Sequence, residues 1–219
     1  MDEDFWRDAW RMGRAAFHEG KPNASLIQYW NKTALPKGTT VIVPFCGKSI
    51  DMIWLAEQGH FVIGIEIAEM AVEAFFAENS LRRTVDPESS FSVSRSGRLE
   101  IWCGDFFQLP REVIARAHGL FDRGGLIAQP REMRAKYARK LNADLVPSAR
   151  MLLMCVDYNQ SEMPGPPFSV SDLEISDHFS SRFEVERVHE EHLTAVPERF
   201  ASQGLTTLRR TVHLLKGRQ

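Results

Sequence analysis

The sequence predicts an open, doubly wound α/β sheet, and three observations predict it. Short β-branched runs alternate with helix-length segments along the chain. The first strand, turn, helix and second strand fit within about thirty residues, the unit from which parallel sheets are built. The chain then ends on two long consecutive strands, which suits an antiparallel edge on a mostly parallel sheet.

Taken in order, residues 2–12 place Phe5, Trp6 and Trp10 at helical spacing, with acids at the start where they favour the helix N-terminus. A second short helix is predicted over Asn23 to Lys32, with Leu26, Ile27 and Trp30 on one side. Three of the five tryptophans fall within these first thirty residues, which suggests a lid or cap rather than only an outer packing layer. After Pro36-Lys37-Gly38 the character changes. Thr40 to Phe45 reads as a strand, Ser49 to Gln58 as a helix stopped by Gly59-His60, and Phe61 to Ile65 as a second buried strand.

A helix is expected from about Ala68 to Arg83, then a hairpin of Phe91 to Ser94 and Leu99 to Cys103 across Ser96-Gly97. His118 to Phe121 is a fourth strand of the alternating series. Pro130 to Leu145 is a helix with Met133, Tyr137 and Leu141 on one stripe, and Met151 to Tyr158 is a fully apolar strand. A helix near Asp172 to His178 precedes the last strands, Phe183 to His192 and Leu205 to Leu215, whose alternation is imperfect. No repeat or linker divides residues 1–219, so one domain is expected, with residues 1–35 as its N-terminal helical lid.

Composition narrows the partners. A net charge of −2 gives no overall electrostatic footprint for nucleic acid. Cys46, Cys103 and Cys155 lie far apart, an odd and sparse set that argues against a disulfide framework or a zinc site and for a reducing compartment. No basic, then apolar N-terminal stretch reads as a signal peptide, and no run approaches the roughly 20 apolar residues that span a bilayer. A soluble cytoplasmic protein without a membrane or nucleic-acid partner is the expectation.

In such sheets a ligand sits at the carboxyl ends of the strands, near the point where strand order reverses. The loop Pro44-Phe45-Cys46-Gly47-Lys48-Ser49 follows the first strand and holds one glycine. A dinucleotide site needs several glycines to bring backbone against a pyrophosphate, whereas S-adenosylmethionine (SAM) has no phosphates. Glu66, just after the second strand, can accept hydrogen bonds from both ribose hydroxyls of an adenosine; a helix cap is the competing role for such an acid. Asp105-Phe106 lies where an adenine falls in this layout, with a turn start and a core ring as the alternative. At the next carboxyl end, Asp122-Arg123-Gly124-Gly125 offers a cation for an anionic acceptor, against a plain surface ion pair between Asp122 and Arg123.

Other features point away from chemistry. His189 and His192 stand three apart on a strand, so they face opposite sides and no metal site is expected. The basic run Arg131, Arg134, Lys136, Arg139 and Lys140 reads as a solvated helix face. Neither a G-x-S-x-G elbow nor a P-loop is present.

The residues also resemble a known family. Trp6, Trp10 and Ala16-Phe17-His18 lead into Pro44-x-Cys46-Gly47-Lys48-Ser49-x-Asp51-Met52-x-Trp54-Leu55-Ala56-x-x-Gly59-His60 and Gly64-x-Glu66. Then come Gly104-Asp105-Phe106-Phe107-x-Leu109-Pro110, Asp122-Arg123-Gly124-Gly125-Leu126, Pro130-x-x-Met133-Arg134-x-x-Tyr137 and Pro164-Gly165-Pro166-Pro167-Phe168. In this order they resemble the thiopurine S-methyltransferase family, bacterial type.

The resemblance implies a class I SAM-dependent methyltransferase fold, Rossmann-like and seven-stranded, under an N-terminal helical lid. It implies that Trp6, Trp10 and Phe17 flank SAM, Phe45 lines its pocket, Glu66 holds the ribose, and Asp105 and Phe106 meet the adenine. Arg123 would lie between cofactor and acceptor, as both a cofactor-binding and a catalytic residue. It further implies a monomer that methylates a small thiol or selenol-type acceptor, thiopurine-like or a selenium or tellurium compound, and releases S-adenosylhomocysteine. Phe45 departs from the family, where Leu is usual, and Ala115 to Leu120 is less family-like. The rival readings are a SAM-binding sensor or partner-recruiting module without catalysis, and an NAD-dependent oxidoreductase.

Overall fold

The computed structural model describes residues 3–13, 19–193 and 195–218. The chain opens with α1 (Glu3–Arg11), α2 (Ala24–Tyr29) and a 3-10 turn over Trp30–Thr33. Next come β1 (Thr40–Val43), α3 (Asp51–Glu57), β2 (Phe61–Glu66) and α4 (Glu69–Glu78). The strands β3 (Thr84–Glu88), β4 (Phe91–Ser96) and β5 (Leu99–Cys103) follow directly on one another. After them run α5 (Arg111–Ile114), β6 (Gly119–Asp122), α6 (Arg131–Asp144) and β7 (Arg150–Asp157). The chain closes with α7 (Asp172–Phe179), β8 (Phe183–Leu193), α8 (Glu198–Ala201) and β9 (Leu208–Gly217).

The sheet order is β3-β4-β5-β2-β1-β6-β7-β9-β8. β5, β2, β1, β6 and β7 are parallel, and β8 and β9 close one edge as an antiparallel pair. Growth of the sheet reverses at β1, which has β2 on one side and β6 on the other, so the switch-point crevice opens above β1.

Strand alternation sorts the core onto both faces. Val41, Val43 and Val62 pack with Leu55 of α3 and Phe75 of α4. Ile42, Ile63 and Ile65 face the other way, onto Tyr137 and Leu141 of α6 and Ile175 of α7. Gly64 sits where no side chain fits: a Cβ there would lie 2.7 Å from Cys46 Sγ and 2.8 Å from Met52 Sδ. That vacancy brings the loop after β1 and the start of α3 down onto β2, beneath the crevice.

Five parallel strands and the terminal pair match the seven that the resemblance implies, β4 is the eighth strand read from the sequence, and β3 brings the sheet to nine among the described residues. The hairpin of β4 and β5 was expected; β3 was not. The helix predicted to Arg83 ends at Glu78, and Thr84–Glu88 adds an edge strand whose five residues are all exposed. A strand that buries neither face leaves no alternation to read, and Pro87 is tolerated because the strand lies at an edge. The imperfect alternation of β8 has a cause: the register slips between Arg187 and His189, a bulge that reverses the facing of later side chains. Beyond it His189 stacks on Tyr29 with ring centroids 5.3 Å apart, while His192 pairs with Glu190. No helix among the described residues is long and apolar enough to cross a membrane.

Candidate functional site

The loop after β1 is shaped by two left-handed residues, Phe45 (φ 49°) and Gly47 (φ 53°). A non-glycine residue in that region is strained, by about 1–3 kcal/mol, and persists where surrounding bonds over-determine it. Here they do: Cys46 N–H donates to Ile65 O at 2.9 Å, and Gly47 N–H donates to Glu66 Oε2 at 2.8 Å. Lys48 turns outward to Glu78 at 2.6 Å and braces the loop against the end of α4.

Glu66 is the last residue of β2 and is 5% exposed. Its Oε1 accepts from Ala68 N–H at 2.8 Å, so each carboxylate oxygen holds one backbone donor. Burial pushes its pKa above the ordinary carboxylate value, against the backbone donors that pull it down. An oxygen accommodates more than one donor, so both can still receive a hydroxyl from a ligand. The sequence left Glu66 between a ribose acceptor and a helix cap, and the geometry gives it part of the second role without removing capacity for the first. Flanking thiols do not compete chemically. Burial drives Cys46 well above its usual range and Cys103 to about 11, with the Glu66 charge adding to both, so the thiols stay protonated.

Trp10 is buried against Ile67, Ala68 and Ala71, the turn immediately beyond Glu66. Trp6 packs edge-on to Phe5 at 5.2 Å on the same helix. Phe17 lies outside the described residues. The structure therefore brings α1 to the start of α4, beside the candidate ribose acceptor.

At the exit of β5, Asp105 starts a turn: its side chain accepts from Phe107 N–H at 2.9 Å and caps the 3-10 turn Phe106–Gln108. Of the two roles open to the Phe106 ring, a face for a base or a place in the core, its packing fits the second. It is 1% exposed, with centroids 5.1 Å from both Phe45 and Tyr137, and so forms the floor under Phe45. Phe107, only partly buried and 6.4 Å from Phe45, is the more accessible aromatic of the turn.

Beyond β6 the Asp122–Arg123 ion pair weighed from the sequence gives way to two separate roles. Asp122 is 1% exposed and accepts from Gly125 N–H (2.6 Å), Leu126 N–H (3.1 Å) and Tyr137 Oη–H (2.7 Å). A Cβ on Gly125 would lie 2.9 Å from Tyr137 Oη, so the second glycine serves this close turn rather than a ligand. Arg123 instead meets acids from other segments: Nη1 is 3.1 Å from Glu19 Oε2, and Nε is 3.5 Å from Asp51 Oδ2.

Burial outweighs the hydrogen bonds at Asp122 and pushes its carboxyl from 3.8 up to about 6. The folded chain therefore binds this proton more tightly than the unfolded chain. The resulting stability is fully present below the unfolded value and is lost as pH rises through the folded one. Asp122→Asn keeps one acceptor oxygen and removes the ionisation. Compared with wild type, the thermal midpoint of the variant is expected to gain between about pH 4 and pH 7, as the penalty on the wild type grows. Parallel midpoint curves for the two proteins over that range would contradict the assignment.

Glu66 thus ends β2, Phe45 and Arg123 stand in the loops after β1 and β6, and Trp10 packs on the turn that follows Glu66. The family model described as thiopurine S-methyltransferase (TPMT) matches residues 1–218. The chain belongs to the thiopurine S-methyltransferase family. Curated members include a thiopurine S-methyltransferase of Bordetella petrii, 42% identical over 99% of both chains, and one of Pseudomonas fluorescens strain Pf0-1, 40% identical over 99% of this chain and all of that one.

Solved structures place the family's fold more widely. A SAM-dependent methyltransferase of Anabaena variabilis superposes with a TM-score of 0.65 at 15% identity, covering 99% of this chain and 95% of that one. The Burkholderia thailandensis 1,6-didemethyltoxoflavin-N1-methyltransferase, with bound 1,6-didemethyltoxoflavin and S-adenosylhomocysteine, gives 0.64 at 18% identity over 99% and 87% of the two chains. The fold is that of SAM-dependent methyltransferases, as the resemblance implied. Asp51 was the residue that sequence reasoning passed over. An acid in the first turn of a helix is common for dipole reasons alone, and its partners come from distant segments.

Proposed function

We propose that the chain is a SAM-dependent S-methyltransferase acting on small, acidic aromatic or heterocyclic thiols of the thiopurine type, with selenium and tellurium compounds as further acceptors. The observation that carries this reading is Glu66, a buried carboxylate fixed by Gly47 and Ala68 N–H at the end of β2, with oxygen capacity left over. It fits a cis-diol donor, and the loop above it holds one glycine where a pyrophosphate would need several. Family membership and the named relatives support the cofactor and the sulfur acceptor.

Bound SAM supplies an electrophilic methyl group on a sulfonium sulfur. Glu66 would hold the ribose, and the Phe45 ring would line the pocket over the floor of Phe106 and Tyr137. Trp6 and Trp10 would exclude water from the crevice and offer aromatic faces to a cation. Arg123 would favour the ionised thiol and orient it. An aromatic thiol is already partly ionised near neutral pH, so the chain needs no dedicated base. All these groups come from one polypeptide, which suits a cytoplasmic monomer.

The test is a methyl-transfer screen with radiolabelled SAM across aromatic thiols, selenite and tellurite, beside calorimetry of SAM. Label is expected on the aromatic thiols first. SAM binding with no transfer to any acceptor would make the chain a sensor, and absence of SAM binding would overturn the reading altogether.

A further inference from the structure

Asp51 is 1% exposed, yet among the described residues its carboxylate partners lie outside its own helix. Oδ1 accepts from Asn23 N–H at 2.7 Å, Oδ2 accepts from Ser49 Oγ–H at 2.9 Å, and the same Oδ2 is 3.5 Å from Arg123 Nε. Three segments meet on this one side chain: the strap from Glu19 to Asn23, the loop after β1, and the loop after β6. The strap is held at both ends. Glu19 pairs with Arg123 Nη1, and the Asn23 side chain caps α2 by accepting from Ser25 N–H at 2.9 Å.

We propose that Asp51 is a positioning residue for methyl transfer: it fixes the Nε side of Arg123, so that the guanidinium is aimed at the acceptor, and docks the strap that borders the same site. The inference rests on the proposed role of Arg123. Its physical basis is the low exposure of the pair, with the Asp51 side chain at 2% and Arg123 at 22%. Solvent screening is weak there, so a carboxylate 3.5 Å away biases the guanidinium's orientation electrostatically. Glu19, at 42% exposure, is too wet to do the same and is the exchangeable partner of the two.

The experiment compares Asp51→Asn, Asp51→Ala and Asp51→Glu with wild type. Asp51→Asn keeps an oxygen for Asn23 N–H and removes the charge facing Arg123. Its acceptor KM is expected to rise about tenfold, the worth of one charge-assisted bond, while S-adenosylhomocysteine affinity stays within about twofold. Asp51→Glu is expected to restore part of the loss, because the charge returns on a longer stem.

Equal weakening of acceptor and cofactor would show a merely structural role and overturn the proposal, as would an unchanged KM in Asp51→Asn. Two readouts need no turnover. Amide exchange at Asn23 is expected to speed up about tenfold or more in Asp51→Ala. A double-mutant cycle of Asp51→Asn with Arg123→Gln is expected to show non-additive unfolding midpoints. If wild type transfers no methyl group but both readouts hold, the functional reading fails and the contact stands; if both fail while wild type is active, the positioning role is overturned alone.

Discussion

Glu66→Ala is expected to weaken SAM binding by about 100-fold, read by calorimetry on folded protein. A ribose diol presents two donors to the carboxylate, and each hydrogen bond to a charged acceptor contributes about 1.5–3 kcal/mol. Part of that sum is offset because water solvates the groups in the free protein, which leaves about 2.8 kcal/mol, or two factors of ten. The substitution also strips acceptors from Gly47 and Ala68 N–H, so a lower thermal midpoint should accompany it. Glu66→Gln separates the two effects. It keeps one oxygen for backbone and ligand, and should lose about tenfold in affinity with a smaller stability change.

The sign of the pH dependence follows from the raised pKa of Glu66. Protonation replaces an acceptor by a donor, and a ligand diol favours the ionised form. Wild-type affinity should therefore fall as pH descends through that raised value, and the Gln variant should show no such fall. A folded Glu66→Ala protein with wild-type affinity for SAM would end the ribose assignment.

What the sequence reveals of this molecule depends on burial. β1, β2 and β7 are runs of buried β-branched or apolar residues between turn signals, and the structure places them within a residue or two of their expected ends. β3 carries no such signal, because its side chains are all exposed and only pairing with β4 defines it. The candidate site divides in the same way. Glu66 ends one buried strand and Arg123 stands one step beyond another, so finding the strand finds the residue.

Asp51 and Phe107 depend on tertiary detail that no period encodes. The first is defined by what reaches it from Asn23 and Arg123, and the second by an Asp105 cap that turns its neighbour Phe106 into the core. Phe45 is a similar case. Its place just after a strand is visible in the sequence, but not its left-handed backbone or its tilted packing on Phe106 and Tyr137.

Arg123→Ala is expected to cut kcat/KM for an ionisable thiol by about 10- to 100-fold while leaving SAM affinity nearly intact. The range is that of one hydrogen bond to a charged group, about 1.5–3 kcal/mol. A guanidinium beside the acceptor lowers the thiol's bound pKa, so its removal should move the acid limb of the rate profile to higher pH. The loss should be greatest for the least acidic thiols, which depend most on help to ionise. Arg123→Lys keeps the charge, but an ammonium cannot face Asp51 through one edge and Glu19 through another, and partial recovery is expected. Removal of the cation also leaves the buried Asp51 carboxylate without its positive neighbour, so some stability should be lost with the activity. The two losses are distinguished by temperature. A stability defect alone disappears well below the midpoint, whereas a displaced pH–rate limb persists. An Arg123→Ala enzyme with the wild-type limb and wild-type kcat/KM would remove this residue from the reaction.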